Sequence, residues 1–253
     1  MKKITALIVS VVLLICLVGC NKHDVVLDEA KTYEITSEIH SLDIRISAAD
    51  FKIQHGDEIL VESNLKYLSV SEKDGVLTIV DEEKNYNDSD AMLTLYVPNG
   101  TVFDEVDITT GAAKMTVGTL SANSLELKLG AGDVRIDSLN ASSDVDIEGG
   151  VGQITIASGT LNDLTLEMGM GELNLTVAVL GDSDLKFGVG ESNVTLIGCK
   201  DDYKVDIEKG LGSITVDGKT VTEYDSSGNG QNHIEIEGGV GAVNLKYQDV
   251  SAE

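Results

Sequence analysis

The 253-residue sequence predicts an all-β fold, a parallel β-solenoid (single-stranded β-helix) of about eight coils with an irregular N-terminal strand cap. Three observations predict it. A Gly-x-Gly motif recurs about every 20 residues, apolar and polar residues alternate on both sides of it, and no stretch has the apolar period of an amphipathic helix. Units that repeat in this way bury a continuous core by stacking on one another.

The glycine motif defines the predicted coil. Its first glycine is found at seven positions: Gly111, Gly130, Gly150, Gly169, Gly188, Gly210 and Gly239. Apolar residues alternate before it, as in Val145–Glu148, and after it, as in Ile154–Ile156, with the period of half-buried strands. Each coil is therefore predicted to contain a strand, a tight glycine corner, a second strand and a short turn. The residue between the glycines, such as Val151 or Met170, is predicted to point inward.

Stacking of such coils places equivalent residues about 4.8 Å apart. Leu127, Ile147 and Leu166 would then form one inward column. The alternative is a series of antiparallel hairpins with Gly-x-Gly as the hairpin loop, which would pair Leu129 with Val134. Seven copies of the motif, the first five of them spaced by 19 or 20 residues, favour the solenoid, because a near-constant period is typical of stacked units.

The regular repeats occupy residues 106–247 and follow a less regular region, residues 31–105. Within that region, Leu42–Ile53 is a divergent copy of the coil. Residues 54–105 break the period and are predicted to form mixed strands that cap an open edge of the solenoid. Residues 248–253 are predicted to be a tail.

The N-terminus has the layout of an export signal. Two lysines precede an apolar run, Ile4–Val18, which is shorter than the roughly 20 residues that span a bilayer. The run ends in Leu17-Val18-Gly19-Cys20, which resembles the lipobox of bacterial lipoproteins. The resemblance implies a lipoprotein signal peptide at residues 1–19, lipid attachment at Cys20 and a lipidated tether at residues 20–30. An ordinary secretory signal with a chance cysteine is the alternative.

The predicted location is therefore extracytoplasmic, with the cell membrane as a partner through the lipid on Cys20. A chain that begins at Cys20 keeps one other cysteine, Cys199, which has no disulfide partner left and is predicted to be a buried, inert thiol.

The net charge argues against one class of partner, and the motifs give no sign of a nucleotide or metal site. With 43 acidic and 18 basic residues, the net charge is -25, which argues against nucleic acid as a partner because phosphate binding needs clustered Lys and Arg. No Gly-x-Gly motif leads into a helix, so the motif does not predict a nucleotide site. The four histidines match no metal-ligand spacing. No cofactor, metal site or catalytic residue is predicted.

Two outward columns of side chains follow from the stacking. The column before the corner is mostly acidic, which suggests either divalent-cation binding or, as favoured here, a solvated face that discourages aggregation. The column after the corner is mostly Thr and Asn and is the predicted partner-binding face. Its residues are Thr116, Thr155, Asn174, Asn193, Thr215 and Asn244.

The whole layout resembles the bacterial "putative adhesin" family of repeat domains over roughly residues 35–247. The likeness rests on repeats such as Leu125–Ile136 and Val145–Ile156, and on Leu93–Pro98, a strand that ends in proline before the regular repeats. The resemblance implies a β-solenoid surface lipoprotein and supplies no catalytic residues.

Three functions are weighed. The first is a lipid-anchored surface module that binds an unknown protein or envelope ligand without catalysis. The second is an accessory protein in envelope-stress signalling. The third, a carbohydrate-active β-helix enzyme, is disfavoured because such enzymes rely on basic residues and this chain has only two arginines.

Overall fold

The computed structural model describes residues 25–83, 90–222 and 224–249. The predicted signal peptide and Cys20 lie outside the described residues. Where the chain is described it is all-β, apart from one short 3-10 helix, η1 (Lys200–Asp202). No helix in these three ranges is long and apolar enough to cross a membrane.

The strands of the first half are β1 (Lys31–Glu34), β2 (Ser41–Ile46), β3 (Asp50–His55), β4 (Leu60–Ser63), β5 (Ser69–Lys73), β6 (Val76–Asp81), β7 (Met92–Val97), β8 (Phe103–Ala112) and β9 (Lys114–Ala141). Those of the second half are β10 (Val145–Ile156), β11 (Gly159–Asn162), β12 (Leu164–Leu180), β13 (Asp182–Ile197), β14 (Tyr203–Glu208), β15 (Ser213–Val216), β16 (Lys219–Val221), β17 (Tyr224–Ser227), β18 (Asn232–Glu237) and β19 (Val240–Gln248).

Strand segments that precede the glycine corners form one parallel run, here called the acidic wall. In spatial order it contains β6, β2, β8, β9, β10, β12, β13, β18 and β14. Ile147 lies in register between Leu127 and Leu166, and all three side chains are fully buried. This register confirms the parallel stacking and excludes the antiparallel hairpins.

Segments that follow the corners form a second parallel run, here called the amide wall. Its order is β7, β3, β9, β10, β12, β13, β19 and β15, where β9 contributes two segments, residues 114–117 beside β3 and residues 133–136 beside β10. A third, shorter run joins β11 to the ends of β9 and β12. Inward side chains of the acidic and amide walls, such as Ile147 and Ile154, belong to one buried apolar cluster, so a single core runs along the stack.

The spatial order of the coils departs from chain order at both ends. The last coil, β18 and β19, lies between β13 and the earlier strands β14 and β15. In the same way, β2 and β3 lie between the later β6 and β7 on one side and β8 and β9 on the other. Antiparallel strands flank the outermost coils, β5 and β4 at one end and β17 and β16 at the other. These strands cover edges that would otherwise leave backbone groups unpaired.

The corner requires glycine because adjacent coils approach closely there. A Cβ atom on Gly152, whose φ is 143°, would lie 1.9 Å from the carbonyl oxygen of Gly132. The inside of the same corner is already filled, since a Cβ on Gly149 would lie 2.7 Å from Cδ1 of Ile154 and 2.6 Å from Sδ of Met168. The corner therefore has no room for a further inward side chain.

Part of the predicted tether contacts the body of the protein. The backbone N–H of Asp28 donates to the carbonyl oxygen of Asn64 at 2.9 Å. Leu27 is partly buried and packs against the core. The predicted tether thus contacts the solenoid at Leu27 and Asp28.

Candidate binding surfaces

The predicted Thr and Asn column is present on the outside of the amide wall, and its C-terminal members form a hydrogen-bonded ladder. Nδ2 of Asn193 donates to Oδ1 of Asn174 at 3.1 Å, and Nδ2 of Asn244 donates to Oδ1 of Asn193 at 3.0 Å. The Thr215 hydroxyl donates to Oδ1 of Asn244 at 3.0 Å. These four side chains, here called the amide ladder, are half-buried.

The other predicted members of this face are less continuous with the ladder. Thr155 lies in register beside Asn174, but its neighbour on the other side is Arg135. Thr116 lies beside Lys52. The structure therefore brings all six predicted residues to one wall, with basic side chains interrupting the column at its N-terminal end.

Much of the hydrogen-bonding capacity of the ladder is used within the protein. An amide group has two N–H donors and one carbonyl acceptor. The Asn174 amide also donates to Oε1 of Glu172 at 2.7 Å, and the Asn193 amide donates to Oε1 of Glu191 at 3.4 Å. The ladder thus stabilises the stack, a role that the sequence column alone did not reveal.

The acidic wall repeats carboxylates instead of amides. In stack order its first outward column is Thr78, Asp43, Asp107, Glu126, Asp146, Thr165, Asp184, Glu235 and Asp206. Burial, followed by the neighbouring carboxylates of Glu126 and Asp43, raises the pKa of Asp107 above its ordinary value. Oδ1 of Asp107 is buried without a hydrogen-bond partner among the described residues.

At the C-terminal end of the same column, Asp206 has the opposite environment. The ammonium of Lys204 lies 2.8 Å from its Oδ2, and Nε2 of His233 lies 2.7 Å away. Lys204, together with hydrogen bonds from Ser226 and His233, holds the pKa of Asp206 well below its usual range. One column therefore contains both a carboxyl group that resists ionisation and one that favours it.

Next to Asp206 the acidic wall has an open depression of about 210 Å³. Its charged lining residues are Asp184, Lys186, Asp206, Glu208, Glu235 and Glu237. Among the described residues, no group of three or more His, Cys, Asp or Glu side chains is arranged to hold a metal ion. The depression is best described as a concentrated negative surface.

The residues between the corner glycines are exposed, and the prediction that they point inward was wrong. Because the corner turns convexly and its inside is filled, the side chain at its apex points to solvent. The exposed fractions are 57% for Val151, 54% for Met170, 48% for Val189, 49% for Val240 and 90% for Leu211. These five residues are here called the corner ridge.

Cys199 is half-buried rather than buried. It lies at the N-terminal end of η1, where its backbone N–H donates to Oδ2 of Asp202 at 2.7 Å. The turn into this helix moves the residue away from the inward column that its spacing predicted.

The similarity to known proteins includes the repeat region. A family model described as Toastrack DUF4097 matches residues 17–246. A solved "putative adhesin" from Bacteroides fragilis is similar at 10% identity and a TM-score of 0.49, covering 85% of this chain and 95% of that one. Another from Parabacteroides distasonis has 13% identity and a TM-score of 0.48, covering 87% and 98%.

A "putative cell adhesion protein" from Clostridium sporogenes has 18% identity and a TM-score of 0.33, covering 87% of this chain and 99% of that one. No match is found among the curated proteins. The family match confirms the repeat-domain resemblance predicted from the sequence.

Proposed function

The chain belongs to the Toastrack DUF4097 family, and from this premise we propose that it is a lipid-anchored, extracytoplasmic binding module without catalytic activity. The observation that carries the proposal is the parallel stack itself. Equivalent side chains repeat in register from coil to coil along both walls. Such a stack presents extended surfaces at a regular spacing of about 4.8 Å, which suits contact with a large partner.

The anchoring part of the proposal rests on the segment Leu17–Cys20 and its resemblance to a lipobox. Lipid on Cys20 would hold the solenoid close to the outer surface of a membrane, with the predicted partner an envelope ligand or another protein. The net charge of -25 keeps the walls themselves away from anionic lipid headgroups. The membrane contact is therefore assigned to the lipid.

The carboxylates of the depression are the observation that favours the third candidate, a carbohydrate-active enzyme. Glycoside hydrolysis by two carboxylates needs one acid whose pKa is raised. Asp107, whose pKa is raised, lies outside the depression, and Asp206, which lines it, has a lowered pKa. Asp206 therefore does not suit the role of the acid in such a pair.

The anchoring proposal is tested by metabolic labelling with an alkyne fatty acid followed by membrane fractionation. The wild-type protein should carry the label and sediment with membranes, and Cys20→Ala should lose the label. Cys199→Ala is the matched control and should behave as wild type. A labelled, membrane-bound Cys20→Ala protein would contradict lipid anchoring at Cys20.

The binding proposal is tested by crosslinking in intact cells and comparing wild type with Cys20→Ala. A binding module should give a discrete adduct that depends on anchoring. An adduct with a membrane sensor, together with expression that rises under cell-wall antibiotics, would favour the accessory role in envelope-stress signalling. Turnover of a polysaccharide by the purified protein would contradict the absence of catalysis.

A further inference from the structure

Nothing in the fold requires the residues of the corner ridge to be apolar. Close backbone approach requires glycine on both sides of the apex, as at Gly150 and Gly152. The apex side chain of Val151 itself points outward, with more than half of its surface exposed. A polar β-branched residue would satisfy the same backbone, so the aliphatic side chains call for another explanation.

The ridge is continuous along the stack. Met170 lies in register between Val151 and Val189, and Val240 lies next to Val189. Leu211 completes the series, because the flanking Gly210 and Gly212 lie against Gly239 and Gly241. At about 4.8 Å per coil, the five side chains extend over roughly 19 Å. The corresponding residues of the two preceding coils are Ala112 and Ala131, so the ridge is confined to the C-terminal coils.

Carboxylates flank the ridge on both sides. On the side of the acidic wall they are Glu148, Glu167, Glu208 and Glu237, and on the side of the amide wall they are Glu172 and Glu191. All six are exposed. Two basic residues lie along the same rim: Lys186, which is paired with Glu167 at 3.2 Å, and the half-buried Lys209, which lies between Glu208 and Gly210. The six carboxylates outnumber them, so the rim is negative. An apolar strip with a charged rim has the anatomy of a protein interface.

The negative charge of the rim discriminates among the surfaces that could cover the ridge. Anionic lipid headgroups would be repelled by the six carboxylates, and so would the ridge of a second copy, because two copies would bring their acidic rims together. A surface with an apolar groove and Lys or Arg along its edges complements both the strip and the rim.

We propose that the corner ridge docks into an apolar, basic-rimmed groove of a protein partner. This inference rests on the proposed binding function and places the contact on the corner instead of the Thr and Asn face. The aliphatic side chains bury apolar area at the centre of the interface, and the carboxylates steer and orient the partner from the rim.

The first experiment places a photo-crosslinking amino acid at single sites of the full-length protein in its own cells. Val189 is the test position, and Val102 is the matched control, since it is a valine of at least the same exposure (59%, against 48% for Val189) away from the ridge. Position 189 should give a discrete adduct with one other protein, and position 102 should not. An adduct with a second copy of the chain, or equal adducts at both positions, would overturn the proposal.

The second experiment measures the affinity of the purified protein identified in this way. The double variant Met170→Gln, Val189→Thr should weaken binding about tenfold or more, while Val102→Thr leaves it unchanged. Raising the salt from about 50 to about 500 mM should also weaken it, because the rim charges are screened. Thermal unfolding of each variant must remain as in wild type. Unchanged affinity of the folded double variant would overturn the proposal.

Further measurements distinguish an error in the ridge assignment from an error in the proposed binding function. If position 155 of the amide wall gives the adduct and position 189 does not, the binding function stands and the ridge assignment is wrong. If no position gives an adduct, both fail. A chain that begins at Asn21 should not float with vesicles of equal parts phosphatidylglycerol and phosphatidylcholine. Flotation of this chain that is lost in the Met170→Gln, Val189→Thr variant would identify the ridge as a membrane contact and overturn the protein partner.

Discussion

Each wall stacks like side chains on one another at the same spacing, amides in the amide wall and carboxylates in the acidic wall. Neighbouring amides attract each other, whereas neighbouring carboxylates repel each other. Asn193 donates to one neighbour and accepts from the other, so amides in successive coils attract. Carboxylates repel their copies, and the acidic wall balances this by interleaving basic groups, as in the Lys186–Glu167 and Lys204–Asp206 pairs. In this protein, repeated Asn side chains therefore stabilise the stack by themselves, whereas repeated carboxylates need basic neighbours.

Breaking the corner that joins the two walls should have the largest effect. Gly152→Ala would place a Cβ atom 1.9 Å from a backbone oxygen in a backbone conformation that disfavours L side chains. We expect a loss of at least about 3 kcal/mol in the free energy of unfolding, measured by urea denaturation. Gly118→Ala, whose Cβ would have only one neighbour, at 3.8 Å, is the control and should change stability little.

Breaking the amide ladder should have the next largest effect. Asn193→Ala removes both the hydrogen bond to Asn174 and the one from Asn244. We expect a loss of about 1–2 kcal/mol, since each neutral hydrogen bond contributes about 1 kcal/mol. Thr195→Ala, an outward position on the same strand, is the control and should cost less. Equal losses for the two variants would show that the ladder adds nothing to the stack.

Two substitutions within the acidic wall should sharpen the comparison by acting in opposite directions. The pKa of Asp107 is raised, so ionised Asp107 destabilises the fold, and Asp107→Asn should stabilise it at pH 7 by about 0.5 kcal/mol. That gain should vanish as the pH falls below about 4, where the carboxyl group is protonated in both states.

The pKa of Asp206 is lowered, so its ion pairs stabilise the fold above the ordinary Asp pKa of about 3.9. Asp206→Asn should therefore destabilise the protein at pH 7 by about 0.5 kcal/mol, and the difference from wild type should shrink as the pH falls through the folded-state pKa. Urea denaturation across this pH range measures both variants. The same sign of change for the two at pH 7 would contradict this account of the wall.

Sequence periodicity was sufficient to predict what a coil contains. It placed Ile147 between Leu127 and Leu166, and it gathered Thr155, Asn174, Asn193 and Asn244 on one outward face. These predictions succeeded because the two-residue alternation of a strand is a local property, and equivalent positions in stacked coils meet in register.

The same reasoning did not predict the direction of the apex residue. Val151 and Met170 are apolar and lie between strands, which suggested a place in the core. Whether the corner interior has space depends on Ile154 and Met168, and this packing is not local to the motif. Nor did the pattern distinguish a binding face from a ladder that holds the stack together.

The period, the glycine corners and the membership of each outward column are therefore properties of the amino-acid sequence alone. The order of the coils was decided by tertiary structure: the chain-terminal coil of β18 and β19 is inserted beside β13, which puts Asn244 between Asn193 and Thr215. The physical reason is that every coil presents the same ladder of backbone donors and acceptors at its edges. A repeat therefore specifies how coils pair, and only the packing of the complete chain selects which coils do so.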